Sequence, residues 1–158
     1  MCALPWPSNL YLEPDPERVT GYTLRFGETS LMQNKQGAFV DPARYAALDG
    51  YGPSTAALVY APDVDTSVLP GEWSTDDSLD PESPVMWFKW GDDGLEPVPC
   101  WAELDANATT PEEQLLAIRP GIILEENTRY VVALRGLVSQ RGEPIEPSEA
   151  FALLRDGE

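Results

Sequence analysis

Residues 115–137, LLAIRPGIILEENTRYVVALRGL, decide the fold that this chain is expected to adopt. The apolar residues at 115–118 and 122–124 predict strands, and the polar residues 125–127 predict a corner after them. Residues 129–134 are rich in the β-branched and aromatic side chains that strands favour. The stretch therefore predicts β-strands on either side of a short polar turn.

The last strand of this stretch is apolar on both faces. Successive side chains of a strand point to opposite sides, so Tyr130, Val132 and Leu134 are expected on one face. Val131 and Ala133 are expected on the other face. Because both faces are apolar, the pattern predicts a central strand of a packed sandwich and not a solvated edge.

The composition favours one mainly β domain over residues 1–158. A chain of this length buries about 70% of its unfolded surface on folding, and 42% of its residues are hydrophobic, which is enough for a core. Its 16 prolines and 12 glycines occur in almost every segment and argue against long helices. We predict a β-sandwich of about seven short strands with one or two short helices.

The predicted elements are spread along the chain. Besides those of residues 115–134, strands are expected at 22–26, 55–61, 85–90 and 97–104. The residues GDDG at 91–94 predict a hairpin turn. Short helices are expected at 40–49, capped by Asp41, and at 147–154, capped by Ser148. The expected core residues are Leu24, Phe26, Leu58, Tyr60, Trp87, Ile118, Ile123, Tyr130, Val132 and Leu134.

The charge balance disfavours two classes of partner. The chain has 27 acidic and 10 basic residues, which give a net charge of −17. Such a field repels nucleic acid and anionic membrane surfaces. No apolar run approaches the ~20 residues of a membrane-spanning helix. We therefore expect neither a nucleic-acid partner nor a membrane span, and the oligomeric state stays open.

Cys2 and Cys100 are the only cysteines, and they leave three interpretations open. An even number of cysteines fits one disulfide formed in an oxidising compartment. Two free thiols are the second interpretation, and a lipid anchor on Cys2 is the third. The chain is expected to be a domain cut from a longer protein.

Three short segments carry a resemblance to a known family. Residues 4–12, LPWPSNLYL, resemble the PFPNDLL-type opening of the N-terminal domain of bacterial virulence-factor-type lipases. Residues 48–54, LDGYGPS, are similar to the LDGFS segment of that family. Residues 118–120 and 124–134 are similar to the PLxPxTxYxVxL strand pair of bacterial Ig-like domains.

The resemblance implies an Ig-like β-sandwich that serves as an accessory domain of a secreted or surface-attached bacterial protein. It implies that the partner is a neighbouring domain of the same polypeptide, a lipase- or esterase-like hydrolase. It transfers no catalytic residue, because the hydrolase chemistry of the family belongs to another part of the chain. Cys2, Cys100 and the acidic residues 76–82 have no counterpart in the family pattern.

The spacing of Leu124, Thr128 and Tyr130 is typical of a tyrosine corner. In such a corner the phenol hydroxyl of the tyrosine hydrogen-bonds to backbone a few residues away. The alternative is that Tyr130 is simply an aromatic residue of the core. The sequence does not decide between these two interpretations.

Catalysis within this chain has little support. The absence of histidine excludes Ser-His-Asp triads, Cys-His dyads and most zinc sites. No G-x-S-x-G nucleophile elbow is present. Glu103 and Asp105, which follow Trp101, form the carboxylate pair to test for glycoside hydrolysis, although 27 acidic residues make such a pair expected by chance. We therefore predict no catalytic residue and no required cofactor.

Calcium is the ligand that the acidic clusters favour most. Ca²⁺ binds six to eight oxygen atoms, which aspartates supply well. The candidate ligands are Asp63, Asp65, Asp76, Asp77 and Asp80. None of them lies in a D-x-[DN]-x-[DN]-G loop, and a solvated acidic loop is the competing interpretation. A calcium-stabilised surface adhesion module is thus one alternative function.

Trp73 and Trp101 are the candidate platform for a carbohydrate ligand, since exposed aromatic rings stack on sugars. The competing interpretation is that the tryptophans are buried in the core. Under this interpretation, both faces of the strand VMWFKW at residues 85–90 are buried. A carbohydrate-binding module is thus the other alternative function.

Overall fold

The computed structural model describes residues 4–110 and 113–157. Within them the chain is mainly β, as predicted, with eight strands in three antiparallel sheets. The strands are β1 (Leu12–Pro14), β2 (Tyr22–Leu24), β3 (Ala57–Val59), β4 (Val85–Gly91), β5 (Gly94–Val98), β6 (Cys100–Leu104), β7 (Leu116–Pro120) and β8 (Arg129–Leu134). The α-helix is α1 (Glu149–Asp156), and short 3₁₀ helices lie at Asn9–Tyr11, Pro42–Tyr45, Thr66–Val68 and Thr75–Leu79.

Two three-stranded sheets share one hydrophobic core, an arrangement consistent with the predicted β-sandwich. Their strand orders are β3-β7-β6 and β5-β4-β8, and β1 pairs separately with β2. Both sheets direct alternate side chains into the space between them. The core includes Ala57, Ala61, Val64, Leu69, Val85, Trp87, Val98, Cys100, Ala102, Leu116, Ile118, Leu124 and Leu137.

Pro99 alone separates β5 from β6 and takes the chain from one sheet to the other. The carbonyl oxygen of Pro99 accepts a hydrogen bond of 2.7 Å from the N–H of Gly121. A Cβ atom at Gly121 would lie 3.0 Å from that same oxygen, so a side chain there would force a shift. The close crossing of these two backbones therefore depends on glycine.

The N-terminal residues build a second, aromatic core. Trp6, Tyr11, Phe26, Tyr45 and Tyr51 form a chain of ring contacts with centroid distances of 5.0–5.9 Å. Such offset and edge-to-face contacts add to the stabilisation from burial. This group, the aromatic cluster, holds the segment before β3 in place.

The aromatic cluster lies at the β3 edge of the β3-β7-β6 sheet, on the side that faces away from the main core. Trp6 lies directly opposite Leu58, with reciprocal backbone hydrogen bonds of 2.9 and 2.6 Å. The neighbours of Leu58 in β3, Ala57 and Val59, contact the main core, so Leu58 and Trp6 point outward. Ala117, the partner of Leu58 in β7, is buried although it faces away from the main core.

The prediction that residues 129–134 form a central strand is wrong. β4 is central in its sheet and β8 is an edge strand. After Gly136 the chain turns away from β8, and its backbone bonds instead to the distant Asp63 and Asp65. The predicted inward face is confirmed, because Tyr130, Val132 and Leu134 pack against the core.

Two predicted core residues lie at the surface. Ile123 is 81% exposed, and Tyr60, just beyond β3, is also exposed. Residues 122–124 do not form the predicted strand, because they belong to the loop between β7 and β8. Only Leu124 of this run is buried, and its N–H donates to the carbonyl of Pro53. Leu58 is half-buried on the outward face described above.

The helix predicted at 40–49 is only the 3₁₀ helix Pro42–Tyr45. Its predicted cap is confirmed, since Asp41 accepts a hydrogen bond of 2.9 Å from the N–H of Ala43. The C-terminal helix is present as α1, and Ser148 caps it by accepting from the N–H of Phe151. The first segment is too short and too exposed to gain α-helical stability from packing.

Candidate functional site

The outward side of the β5-β4-β8 sheet is an apolar surface, here called the outer sheet face. Trp87 of β4 belongs to the core, so the alternate residues of β4 point outward. The strand register places the outward residues of β5 and β8 beside them. The outer sheet face consists of Met86, Phe88, Trp90, Leu95, Pro97, Arg129, Val131 and Ala133.

Trp90 and Leu95 are the most accessible large hydrophobic side chains of the outer sheet face. Trp90 is 52% exposed and Leu95 is 55% exposed, and the two lie opposite each other. The interpretation that both faces of VMWFKW are buried is therefore wrong for its outward face. The aromatic cluster lies against the outward side of the other sheet at β3, and no described segment packs in the same way on Trp90 and Leu95.

Arg129 supplies the positive charge of the outer sheet face. Its guanidinium carbon lies 4.9 Å from the ring centroid of Trp90, which is a cation–π contact. The turn that joins β4 to β5 adds the exposed carboxylates of Asp92 and Asp93 at one end. The surface is thus an apolar centre with one cation and an acidic rim.

A tyrosine corner is present where the chain enters β8. The hydroxyl of Tyr130 accepts a hydrogen bond of 2.9 Å from the N–H of Glu125. Thr128 bonds back to the carbonyl of Glu126, and Asn127 has a φ of 49°. Tyr130 also packs against the core, so it is both the tyrosine of the corner and an aromatic residue of the core.

The predicted calcium ligands do not form a preformed site. Across residues 4–110 and 113–157, no three Asp, Glu, Cys or His side chains gather closely enough to hold a metal ion. Asp65 instead accepts from the hydroxyl and then the backbone N–H of Ser67, and these bonds lower the pKa of its carboxyl group. Asp77 and Asp80 line an open cavity of about 270 Å³ without Asp63 or Asp76. Calcium binding stays a prediction.

The two tryptophans of the predicted sugar platform lie in different surroundings. Trp73 is 94% exposed in the turn after Pro70. Trp101 is half-buried, and the guanidinium of Arg119 lies 5.6 Å above its ring. Neither ring stacks on another aromatic ring within the described ranges. Carbohydrate binding therefore rests on Trp73 alone and stays a prediction.

The two carboxylates of the candidate hydrolytic pair already have partners. Glu103 forms an ion pair of 2.7 Å with Arg119. Asp105 accepts from the backbone N–H of Asn107 at 2.8 Å. Both carboxylates are therefore held by structural contacts.

Cys100 lies in the core with no exposed surface. Burial raises the pKa of its thiol, so the neutral form is favoured at neutral pH. Cys2 lies outside the described residues, and the disulfide and the lipid anchor both stay predictions. Within the described residues, Cys100 acts as part of the hydrophobic core.

Comparison of the chain with protein-family models, with curated proteins and with solved structures found no match in any of the three. None of the described helices has the length and apolar character that crossing a membrane requires. The strand order, the tyrosine corner and the outer sheet face are therefore the observations on which a function can be argued.

Proposed function

We propose that this chain is a non-catalytic Ig-like accessory module that packs beside, and orients, a neighbouring domain of the same polypeptide. The outer sheet face is the observation that carries this proposal. A contiguous apolar surface rimmed by polar groups is typical of an interaction site. Trp90 and Leu95, near the turn at one end of it, are exposed here, and a neighbouring domain would bury them.

The order of the strands supports the Ig-like part of the proposal. Ig domains have strands A-B-E-D in one sheet and C-F-G in the other, with C′ beside C in some types. Here the segment at Trp6, then β3, β7 and β6, matches A-B-E-D, and β5, β4 and β8 match C′-C-F. No described strand lies beside β8 in the position of G. Tyr130 lies near the start of the strand that matches F, where Ig domains have their tyrosine corner.

The resemblance described above supports a narrower form of the proposal. It places the module in a secreted or surface-attached bacterial protein, ahead of a lipase- or esterase-like hydrolase region. Residues 4–12, 48–54, 118–120 and 124–134 carry that resemblance. The open apolar face supports it further, because an accessory module needs a surface for its neighbour.

The substitution Leu95→Glu tests whether the outer sheet face contacts the neighbouring domain. It is made in the polypeptide that contains both this chain and its neighbour. We expect the calorimetric melting temperature of the module to fall by about 5 °C or more, because a buried charge breaks the contact. In the isolated chain the same change should shift melting by only about 1–2 °C, since Leu95 is exposed there.

Val19→Glu is the matched control for this experiment. Val19 is also exposed, lies in the loop between β1 and β2, and acquires the same charge. It should leave the melting temperature of the joined protein nearly unchanged. Equal shifts for Leu95→Glu in the joined and isolated proteins would contradict docking through this face.

A carbohydrate-binding module is the second candidate, and the exposure of Trp73 is the observation that favours it. A single exposed ring offers a small platform, because Arg119 already covers one side of Trp101. Tryptophan fluorescence in the presence of a polysaccharide panel separates the two candidates. A shift that depends on Trp73 would favour carbohydrate binding.

A further inference from the structure

The edges of the two larger sheets differ in how they are protected. Unpaired strand edges are templates for pairing with another chain, and most proteins block them. The edge of β3 is occupied by Trp6, which exchanges two backbone hydrogen bonds with Leu58. The edge strand β5 contains Pro97, which has no N–H to offer to an added strand.

The edge of β6 is also occupied. The N–H of Cys100 donates to the hydroxyl of Ser78 at 2.8 Å. The N–H of Ala102 donates to the carbonyl of Pro70 at 2.9 Å. The residues between β3 and β4 therefore cover this edge and leave little backbone for an added strand.

The edge of β8 has no such protection from any segment that the structure describes. Arg135 and Pro84 are opposite in the β4–β8 register, and the N–H of Arg135 donates to the carbonyl of Pro84. Because ladder bonds alternate along an antiparallel pair, the backbone groups of Tyr130, Val132 and Leu134 point away from β4. Within residues 4–110 and 113–157, none of these N–H and C=O groups has a hydrogen-bond partner.

We propose that β8 pairs antiparallel with β8 of a second copy of this chain, so that two sheets join into one across a two-fold axis. Val131 lies at the axis, and Tyr130 of each copy faces Val132 of the other. Both residues direct their free backbone groups to this edge, so the pair can exchange two hydrogen bonds. The contact is isologous and closes at two copies.

Charge favours this register over the symmetric register centred on the next residue, Val132. A pairing centred on Val132 would place Arg129 directly opposite Arg135 of the other copy, and like charges in that position are destabilising. The pairing centred on Val131 places Arg129 opposite the small Ala133. It also places Arg135 opposite Asn127, beside the exposed Glu126.

The apolar surface and the net charge set the strength of this dimer. Val131 and Ala133 belong to the outer sheet face, so the pairing joins two such faces into one larger surface. Each copy carries a net charge of −17, which opposes association. The Debye length, over which salt screens charges, falls from about 8–10 Å near 0.1 M salt to about 3 Å at 1 M. The dimer should therefore be weak and should strengthen as salt is added.

The test is sedimentation equilibrium of the isolated chain at increasing protein and salt concentrations. We expect the mass to rise from the monomer value of 17.4 kDa toward twice that value, at lower protein concentration in 1 M than in about 0.1 M salt. A monomer at all concentrations and salts would overturn the proposal.

Two substitutions of the exposed Ala133 test the register. Ala133→Glu places a carboxylate opposite Arg129 of the other copy and should tighten the dimer about tenfold near 0.1 M salt. Ala133→Lys places a like charge there and should weaken the dimer by about the same factor. Net charge alone predicts the reverse order, because the lysine reduces the charge of −17 and the glutamate increases it. That reverse order would overturn the register.

Leu95→Lys and Leu95→Glu are the control pair, because Leu95 lies on the opposite edge strand of the same sheet. They should leave the dimer almost unchanged. If the Leu95 variants change the dimer as much as the Ala133 variants, the copies meet through the outer sheet face and not through β8. Since the isolated chain is used, this result is separate from docking to a neighbouring domain.

Discussion

Trp87→Ala is expected to lower the free energy of unfolding by about 3–5 kcal/mol, the largest effect of any single truncation in this chain. Trp87 lies in the middle of β4, is 4% exposed and belongs to the core between the two sheets. The substitution removes the apolar surface of the ring and leaves a cavity that neighbouring side chains fill only partly. Urea denaturation followed by circular dichroism measures the change.

Trp87→Phe is the matched control, and it should lower the free energy of unfolding by only about 1–2 kcal/mol. The indole N–H of Trp87 is buried without a hydrogen-bond partner among the described residues. Removing an unpaired buried donor recovers part of the stability that the smaller ring loses. Equal losses for the alanine and phenylalanine variants would show that the site does not depend on ring volume.

Ile118→Ala is the second substitution with a large expected effect. It should lower the free energy of unfolding by about 2–5 kcal/mol. Ile118 is 0% exposed on β7, the central strand of its sheet, and contributes to the shared core. The loss reflects the buried side-chain carbons and the cavity that remains. Thermal and urea unfolding of the isolated chain measure it.

Ile123→Ala is the control with the same chemistry five positions along the chain. Ile123 is 81% exposed, so its truncation should change the stability by about 0.5 kcal/mol or less. The two variants together separate the buried strand from the loop that follows it. A loss at Ile123 as large as that at Ile118 would contradict the boundary of β7.

Local sequence patterns were sufficient to predict much of the fold. The β-branched and aromatic run at 129–134 is β8, and the hairpin predicted at 91–94 joins β4 to β5. Asp41 and Ser148 cap the segments predicted for them. These features depend on residues close in sequence, which is why a sequence pattern predicts them.

Long-range contacts explain the predictions that were wrong. Whether β8 is a central or an edge strand depends on where the chain goes after Gly136. The backbone that follows Gly136 hydrogen-bonds to residues 63–65 and does not pair with β8. Which residue of the run 122–124 is buried depends on the contact of Leu124 with Pro53. Neither contact leaves a periodic signal in the sequence.

The sequence pattern does not predict the candidate site, because a buried strand face and an exposed apolar surface have the same pattern of apolar residues. The strand pattern at 85–90 correctly indicated apolar residues on both sides of β4. The aromatic cluster packs at the β3 edge on the outward side of one sheet, and no described segment does the same on the outer sheet face. The register set by the hairpin at 91–94, which brings Leu95 beside Trp90, was the signal that could have revealed the surface.

Amide hydrogen exchange along β8, measured by NMR at a protein concentration that keeps the chain monomeric, tests the architecture most directly. The N–H groups of Val131 and Ala133 point to β4 and should exchange slowly. Those of Tyr130, Val132 and Leu134 point to the open edge and should exchange rapidly. Uniformly slow exchange from 129 to 134 would contradict an edge strand, and the site and dimer that depend on it.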